Sequence, residues 1–218
     1  VVQVNDPHGI EEMLVGKNKH FRKHFALRMT PMLLGNGLLT SDGPHWLRQR
    51  RMAQPAFHPQ KIAAYGEDFV RLTEQQVAEW KPGEERDIVQ EMMTLTLRIA
   101  TKVLFSSEIT GREQDVGKAI VTAQHHFLER FNSLVRFPSW FPTPANLKFK
   151  KMVRDLDEIV FGLIRQRRAD KQEKGDLLSM LLHAQDEDDK SRMSDKQLRD
   201  ELMTLFLAGH ETTALMLS

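Results

Sequence analysis

The C-terminal segment, residues 194–218, constrains the fold of this chain more than any other part of the sequence. Ser194 followed by Gln197 is the pattern of a capping box, which satisfies two backbone donors at the start of a helix. No proline follows it, and a helix from there to Ser218 would be on the order of 35 Å long at about 1.5 Å per residue. Residues 202–208 are apolar nearly all round, which is typical of a buried helix. We therefore predict a long interior helix against which other elements must pack.

The rest of the chain also has predominantly helical periodicity. Apolar side chains at helical spacing predict helices over about 62–80, 92–104, 116–134 and 149–164, and shorter ones over 9–15, 44–53 and 176–184. Only residues 1–4 have the pattern of a strand. We expect a mainly α fold with minor β structure. No internal repeat and no change of composition indicates a second domain.

Composition excludes several classes of function. The 218 residues include 31 basic and 30 acidic side chains. A net charge of +1 does not produce the strong positive electrostatic potential that attracts nucleic acid. Without a cysteine, the chain itself cannot form a disulfide, a thiolate metal ligand or a cysteine nucleophile. The sequence contains neither a signal-peptide pattern nor an apolar stretch long enough to span a membrane.

Residues 209–213 of the final helix break the local rules for a buried helix. Gly209 costs about 1 kcal/mol relative to alanine, two threonines add a smaller penalty, and a glutamate among apolar residues is costly unless it is paired. Such a concentration of exceptions indicates a functional site. A threonine hydroxyl at this point can bond to the carbonyl four residues earlier or to a ligand. Glu211 beside it can carry a proton, so the group suggests proton delivery to a polar ligand in an apolar pocket.

Two other interpretations of this segment can be made from the residues alone, and the first of them stays open. One is a core helix in which Gly209 allows close packing and the threonines bond internally. The other is a zinc site, since His210-Glu211 begins an H-E-x-x-H pattern. The second histidine of that pattern would fall at position 214, which is Ala214, and this argues against zinc.

A second group of residues lies in the helix that begins near Pro44. Trp46 and Arg50 are four positions apart and therefore share a helix face. An indole N–H and a guanidinium on one face form a suitable clamp for a carboxylate, because both can only donate and arginine forks onto carboxylates. The alternative is a cation–π pair between the two side chains, or an ordinary basic helix face.

Taken together, these residues resemble the cytochrome P-450 family of haem-thiolate monooxygenases. Ala208-Gly209-His210-Glu211-Thr212 is similar to the family's oxygen-binding motif A-G-x-[DE]-T, and Trp46-x-x-x-Arg50 to its haem-propionate helix. Residues 35–40, 54–57, 176–179 and 198–201 are similar to the family as well. The resemblance covers essentially the whole chain, in order, and favours the bacterial-type members.

The resemblance implies a role for ten residues around a haem. Thr212 would hydrogen-bond the bound oxygen and steer its protonation, and Glu211 would be the acid of the proton relay. Ala208 and Gly209 would lie over the haem face. The propionates would be held by Trp46, Arg50 and His45, and the substrate pocket would be lined by Leu39, Thr204 and Leu207.

The resemblance also implies an activity and its partners. A haem-dependent monooxygenase would insert one oxygen atom of O2 into a small apolar organic substrate. Electrons would come ultimately from NAD(P)H through a ferredoxin- or flavoprotein-type donor. No nucleic acid and no membrane span in this segment are expected, and the expected location is cytoplasmic.

One departure from the family is the absence of the cysteine that binds the iron. We expect residues 1–218 to be part of a single cytochrome P450 domain, truncated at both ends, with the iron ligand outside this chain. Such a segment would be inactive alone. The alternative is a non-enzymatic helical ligand-binding homologue without haem.

Overall fold

The fold is an assembly of helices. A computed structural model describes residues 2–24, 27, 31–106, 122, 141–170, 174–186 and 188–218. The predicted mainly α class is confirmed. In chain order the α-helices are α1 Pro7–Glu11, α2 Pro31–Leu34, α3 Gly43–Ala53, α4 Pro59–Ala78, α5 Ile88–Phe105, α6 Pro144–Ala169, α7 Leu177–His183 and α8 Asp195–Leu217. Shorter turns of π and 3-10 helix are formed by Glu12–Gly16, Asn18–His20 and Gln54–Phe57.

Polar side chains at the helix N-termini explain where several helices begin. The capping box predicted for α8 is confirmed: the Ser194 hydroxyl accepts from the Gln197 amide, and the Gln197 side chain accepts from the Ser194 amide. Asp87, Thr143 and Asp176 cap α5, α6 and α7 in the simpler way, each accepting one backbone N–H of the first turn.

Helix α8 occupies the centre of the described fold. Its largest interface is with α5, and it also contacts α2, α6 and α7. The side chains of Leu198 and Leu202 have no exposed surface, and Met203 is buried beside them. One hydrophobic core therefore surrounds this part of α8. The burial predicted for residues 202–208 is confirmed for residues 202–204 and 206, whereas Leu205 and Leu207 are half-buried and Ala208 is exposed.

A buried ion pair ties α7 to its neighbours. Arg167 of α6 donates to the Asp176 carboxylate and to the Ser179 hydroxyl, and its second amino group donates to the Phe105 carbonyl oxygen at 2.8 Å. Burial by itself would raise the pKa of Asp176, but the hydrogen bonds from Arg167 and Ser179 hold that pKa below its ordinary value. The end of α5, the end of α6 and the start of α7 thus meet at one guanidinium.

The β content of the described residues is a single antiparallel bridge between Gln185 and Arg192. The strand predicted for residues 1–4 is wrong where the structure describes it, because residues 2–4 have no regular structure and no described segment pairs with them. Most of the helix predicted over 116–134 lies outside the described residues. Within the described residues, no helix has both the length and the apolar character needed to cross a membrane.

Candidate active site

One face of α8 is open where the opposite face is buried. Ala208, Gly209 and Thr212 are exposed, whereas His210 and Ala214 are 2% and 1% exposed. A Cβ atom built on Gly209 would meet no heavy atom within 4 Å among the residues that the structure describes. The close-packing role that the sequence left open for Gly209 therefore has no described partner. Its small size leaves space on the open side of the helix.

The Thr212 hydroxyl bonds back to the helix. Its Oγ1 donates to the Ala208 carbonyl oxygen at 2.6 Å, the contact that the sequence predicted as one possibility. With the proton directed at Ala208, the lone pairs of the hydroxyl oxygen are free to accept from a group on the open side. Donation to a ligand would require the hydroxyl to release the carbonyl first.

Glu211 lies at the edge of the open face. Its side chain is half-buried, and no ion pair joins it to another described residue. Leu207, one turn earlier, is also half-buried. A carboxylate without a fixed cation is able to rotate and exchange a proton, which suits the acid of a proton relay better than a salt-bridged carboxylate would.

His210 lies on the buried side of α8, a position that the sequence did not reveal. Its Nε2 lies 3.0 Å from the Met93 carbonyl oxygen on α5, so Nε2 carries the proton and donates. Its ring lies nearly parallel to that of Phe206, with centroids 6.4 Å apart. Burial lowers the pKa of His210, and the Met93 contact opposes this only in part. The imidazole thus attaches the buried side of α8 to α5, directly behind the open face.

The Trp46 and Arg50 side chains lie together on α3, as their spacing predicts. The Arg50 guanidinium carbon is 5.4 Å from the centre of the Trp46 ring, which is the cation–π contact that the sequence left open as an alternative. Lys23 approaches the same ring at 5.4 Å. Neither the Trp46 indole N–H nor the Arg50 guanidinium has a hydrogen-bond acceptor among the described residues.

The neighbouring arginines of α3 are occupied. The Nε atom of Arg48 pairs with the Asp186 carboxylate at 2.9 Å. The Nη2 atom of the same guanidinium donates to the Ser191 hydroxyl. Arg51 lies 3.9 Å from Asp188, and both side chains are largely exposed. Arg50 therefore differs from Arg48 and Arg51 in having no acidic partner within the described part of the chain, although it is exposed and positively charged.

The turn formed by residues 35–41 connects the two groups of candidate residues, one on α8 and the other on α3. It packs on α8 and leads directly into α3, and the His45 ring at the start of α3 contacts the Asn36 carbonyl oxygen at 3.1 Å. Leu39 in this turn is 38% exposed. Thr204 is buried under the turn, and its hydroxyl donates to the Asp200 carbonyl oxygen at 2.8 Å.

The comparisons with known proteins decide the family. A model of the family described as Cytochrome P450 matches residues 1–218. The chain belongs to the cytochrome P450 family. Its structure also superposes on the crystal structure of the cytochrome P450DA heme domain with a TM-score of 0.81 at 30% identity, covering 96% of this chain and 47% of that one. The partial cytochrome P450 fold that the sequence predicted is thereby confirmed.

Relatives among curated proteins include proteins from two Streptomyces species. Cyclooctatin synthase of Streptomyces melanosporofaciens is 35% identical over 188 residues, which are 84% of this chain and 40% of that protein. Pentalenene oxygenase of Streptomyces avermitilis is 33% identical over 186 residues, with the same two shares. The predicted resemblance to bacterial members of the cytochrome P450 family is confirmed. The chain spans less than half the length of these relatives.

Two acids and one base beside the turn were missed as site residues. Asp200 and Glu201 are buried on α8 and accept backbone N–H groups of the turn, and Lys23 reaches the turn from the N-terminal segment. The available signal was a pair of adjacent acids directly before the apolar residues 202–208, since carboxylates that become buried require partners. Nothing local in the sequence indicates which backbone groups those partners are.

Proposed function

We propose that this chain supplies the haem-propionate clamp and the oxygen-handling helix of a cytochrome P450 monooxygenase. The whole protein would insert one oxygen atom of O2 into a small apolar organic substrate. The observation that supports this most directly is the open face of α8. Ala208 and Gly209 leave space there, and Thr212 presents a hydroxyl oxygen to it.

The residues present fit a haem. A flat macrocycle beside α8 needs a helix face without bulky side chains, and no described atom would meet a Cβ on Gly209. Its propionates need donors that are not already satisfied, and Trp46 and Arg50 are such donors among the described residues. His45 is a weaker candidate, because its Nε2 already contacts Asn36.

Haem, when bound, supplies the activation of O2 that protein side chains cannot perform. The chain's own part in that chemistry is to bind, orient and deliver protons. Arg50 would hold a propionate through its fork of N–H groups, and the Trp46 indole N–H would add a further donor. The cation–π contact between them holds Arg50 over the indole ring beforehand, so less conformational freedom is lost when a carboxylate binds.

Proton delivery would use Thr212 and Glu211. The Thr212 hydroxyl is oriented by its bond to Ala208, which leaves its oxygen able to accept a hydrogen bond from the open side. Glu211 has no fixed cation among the described residues and can rotate to pass protons toward this hydroxyl, directly or through water. The relay therefore needs only a hydroxyl rotation and a carboxylate rotation, both of which are fast motions of side chains.

The substrate pocket and the partners complete the proposal. Leu39 and Leu207 would contribute apolar surface, and Thr204 would line the pocket if the turn above it moved. Electrons from NAD(P)H would arrive through a ferredoxin- or flavoprotein-type donor. A relative from Alternaria alternata, 29% identical over 204 residues, is named a bifunctional cytochrome P450/NADPH–P450 reductase. A cytoplasmic location, membership of a single domain and inactivity of residues 1–218 alone are further parts of this proposal.

Haem titration of the intact protein tests the clamp. Arg50→Leu is expected to weaken haem binding by about 10-fold or more, because a charge-assisted pair contributes about 1.5–3 kcal/mol. Arg51→Leu is the matched control, since Arg51 already faces Asp188, and it is expected to change the affinity less than about twofold. Equal effects of the two variants would contradict the clamp, and no haem binding by the wild type would favour the haem-free alternative.

Peroxide release by the intact protein tests the role of Thr212. Thr212→Ala removes the hydroxyl that steers protonation, so the ratio of hydrogen peroxide released to product formed is expected to rise. Thr213→Ala, at the adjacent exposed threonine, is the control and should leave this ratio near the wild-type value. An unchanged ratio in Thr212→Ala would contradict the proposed relay.

A further inference from the structure

The turn of residues 35–41 is docked on α8 by close backbone approach. Gly35 has φ of +55°, and a Cβ there would lie 2.0 Å from the Asp200 carboxyl carbon. A Cβ on Gly37 would lie 2.5 Å from Thr204 Oγ1 and 2.6 Å from the Asp200 carbonyl oxygen. Both glycines are needed because the turn lies directly against the helix.

Two carboxylates of α8 hold the backbone of this turn. Asp200 accepts the Asn36 N–H at 3.0 Å, and Glu201 accepts the Leu38 N–H at 2.9 Å. The two acids differ in whether a basic side chain pairs with them. Asp200 pairs with Lys196 and with Arg199, each at 3.0 Å, whereas Glu201 has no ion pair within the described chain and is 1% exposed.

Lys23 holds the other side of the turn. Its ammonium donates to the Leu38 carbonyl oxygen and, at 2.8 Å, to the Ser41 carbonyl oxygen. The peptide groups on both sides of the Leu38 Cα are therefore bound, the N–H by Glu201 and the carbonyl by Lys23. Leu39 follows immediately, so its position is set by these two contacts.

The surroundings of Glu201 make its ionisation costly. Burial raises the pKa of Glu201 to about 7, and the negative charge of Asp200 raises it too. The Leu38 N–H and the charge of Lys23 oppose this rise without cancelling it. Burial also lowers the pKa of Lys23, against the attraction of Asp42 and of Glu201. Among the residues that the structure describes, the charged groups that face Glu201 are thus Asp200 on its own helix and Lys23 on the opposite side.

We propose that Glu201 is a positioning residue that docks the Leu39-bearing turn on α8 with uptake of a proton. Docking covers the carboxyl group, and displacement of the turn exposes it to water. A carboxyl group that binds a proton more tightly when covered must favour the docked turn more at low pH than at high pH. The turn is therefore held most firmly in acid and loosens as the pH rises toward 7.

The consequence for substrate rests on the proposed function. Leu39 would contribute to an apolar pocket, so loosening of the turn would weaken apolar substrate binding above pH 7. The Michaelis constant would change with little effect on the chemical step, since Glu201 does not touch the open face of α8. The docking itself can be measured without haem or substrate, so its failure would leave the proposed function intact.

Amide hydrogen exchange in the intact protein tests the proposal. Protection factors for peptides that cover residues 35–41, corrected for the intrinsic pH dependence of exchange, are compared at pH 5.5 and pH 8. Between pH 5.5 and pH 8 the protection factor of the wild type is expected to fall about threefold or more. Release of one proton limits this fall to about 10-fold per pH unit. Glu201→Gln retains an acceptor for the Leu38 N–H and cannot titrate, so its protection should be nearly constant over this range.

Two further variants keep the test decisive. Glu74→Gln, at an exposed glutamate of α4, should retain the pH dependence of the wild type. Lys23→Met removes the cation that opposes the raised pKa, so the pH at which protection falls should move upward. A wild-type turn whose protection does not vary with pH, or a Glu201→Gln variant that varies as the wild type does, would overturn the proposal.

Discussion

His210 on α8 donates from Nε2 to the Met93 carbonyl oxygen on α5 at a distance of 3.0 Å. The two helices share the largest interface of the described fold, and this hydrogen bond joins them immediately behind Gly209. The His210 ring is 2% exposed, and its Nδ1 has no described partner. A buried nitrogen without a hydrogen-bond partner is uncommon in folded proteins, so the ring is held by its Nε2 hydrogen bond and by packing. Here the contact fixes the rotation of α8 about its own axis.

His210→Ala is expected to lower the free energy of unfolding by about 2–4 kcal/mol. The change removes a buried hydrogen bond and leaves a cavity between Phe206 and α5. Urea denaturation measures the effect, and Gln75→Ala, at an exposed position of α4, should stay within about 0.5 kcal/mol of the wild type. A His210→Ala value equal to that of Gln75→Ala would show that the ring does not join the helices.

Gly35→Ala is expected to be strongly destabilising, by about 2 kcal/mol or more. Its Cβ would lie 2.0 Å from the Asp200 carboxyl carbon, at a φ of +55°. Gly66→Ala is the matched control on α4, where a Cβ meets no described atom within 4 Å. There alanine should stabilise by about 0.5–1 kcal/mol, since it is the better helix former. Thermal unfolding of the two variants should therefore shift in opposite directions.

Helix positions could be predicted from the sequence because their signals are local. The Ser194–Gln197 capping box and the helical spacing of apolar residues predicted α8, and the structure confirms both. Gly209 and Thr212 could also be singled out by local rules, because glycine and threonine are unfavourable in the interior of a helix. Local periodicity predicted a strand at residues 2–4 that does not form, because a strand also needs a partner and no described segment pairs with these residues.

The contacts that arrange the candidate site could not be predicted in this way. Glu201 and Leu38 are 163 positions apart in sequence, and His210 and Met93 are 117 apart. A carboxylate that binds a backbone N–H so distant leaves no periodic pattern, because every residue type except proline offers that N–H. The sequence shows that a buried acid needs a partner, and only the fold shows which one.

Asp176→Asn is expected to lower the free energy of unfolding by about 3 kcal/mol or more at pH 7. The substitution leaves the Arg167 guanidinium buried without its counter-charge. Asp155→Asn is the control, because the Lys151–Asp155 pair is 73% and 52% exposed and should contribute less than about 0.5 kcal/mol. The pKa of Asp176 is lowered in the folded protein. The stability that it contributes is thus present above its unfolded pKa of about 3.8 and is lost as the pH falls through the folded value.

Glu201→Gln is expected to make the protein more stable than the wild type at pH 8. The pKa of Glu201 is raised by burial from 4.5 to about 7, so the folded protein binds more protons than the unfolded chain between these values. Stability from this group is therefore complete below about pH 4.5 and lost as the pH rises to 7. The difference between Glu201→Gln and wild type should grow over this range toward a ceiling of about 3 kcal/mol.

His210 acts in the opposite direction over part of the same pH range, which separates the two groups experimentally. Burial lowers its pKa below 6.5 in the folded protein, so its contribution is present above pH 6.5 and falls as the pH decreases. His210→Phe, which keeps a ring beside Phe206, should remove that decrease. In a His210→Phe background, urea denaturation from pH 5 to pH 8 should show the loss of stability due to Glu201 more clearly than in the wild type. If stability in this background were independent of pH, the raised pKa of Glu201 would be contradicted.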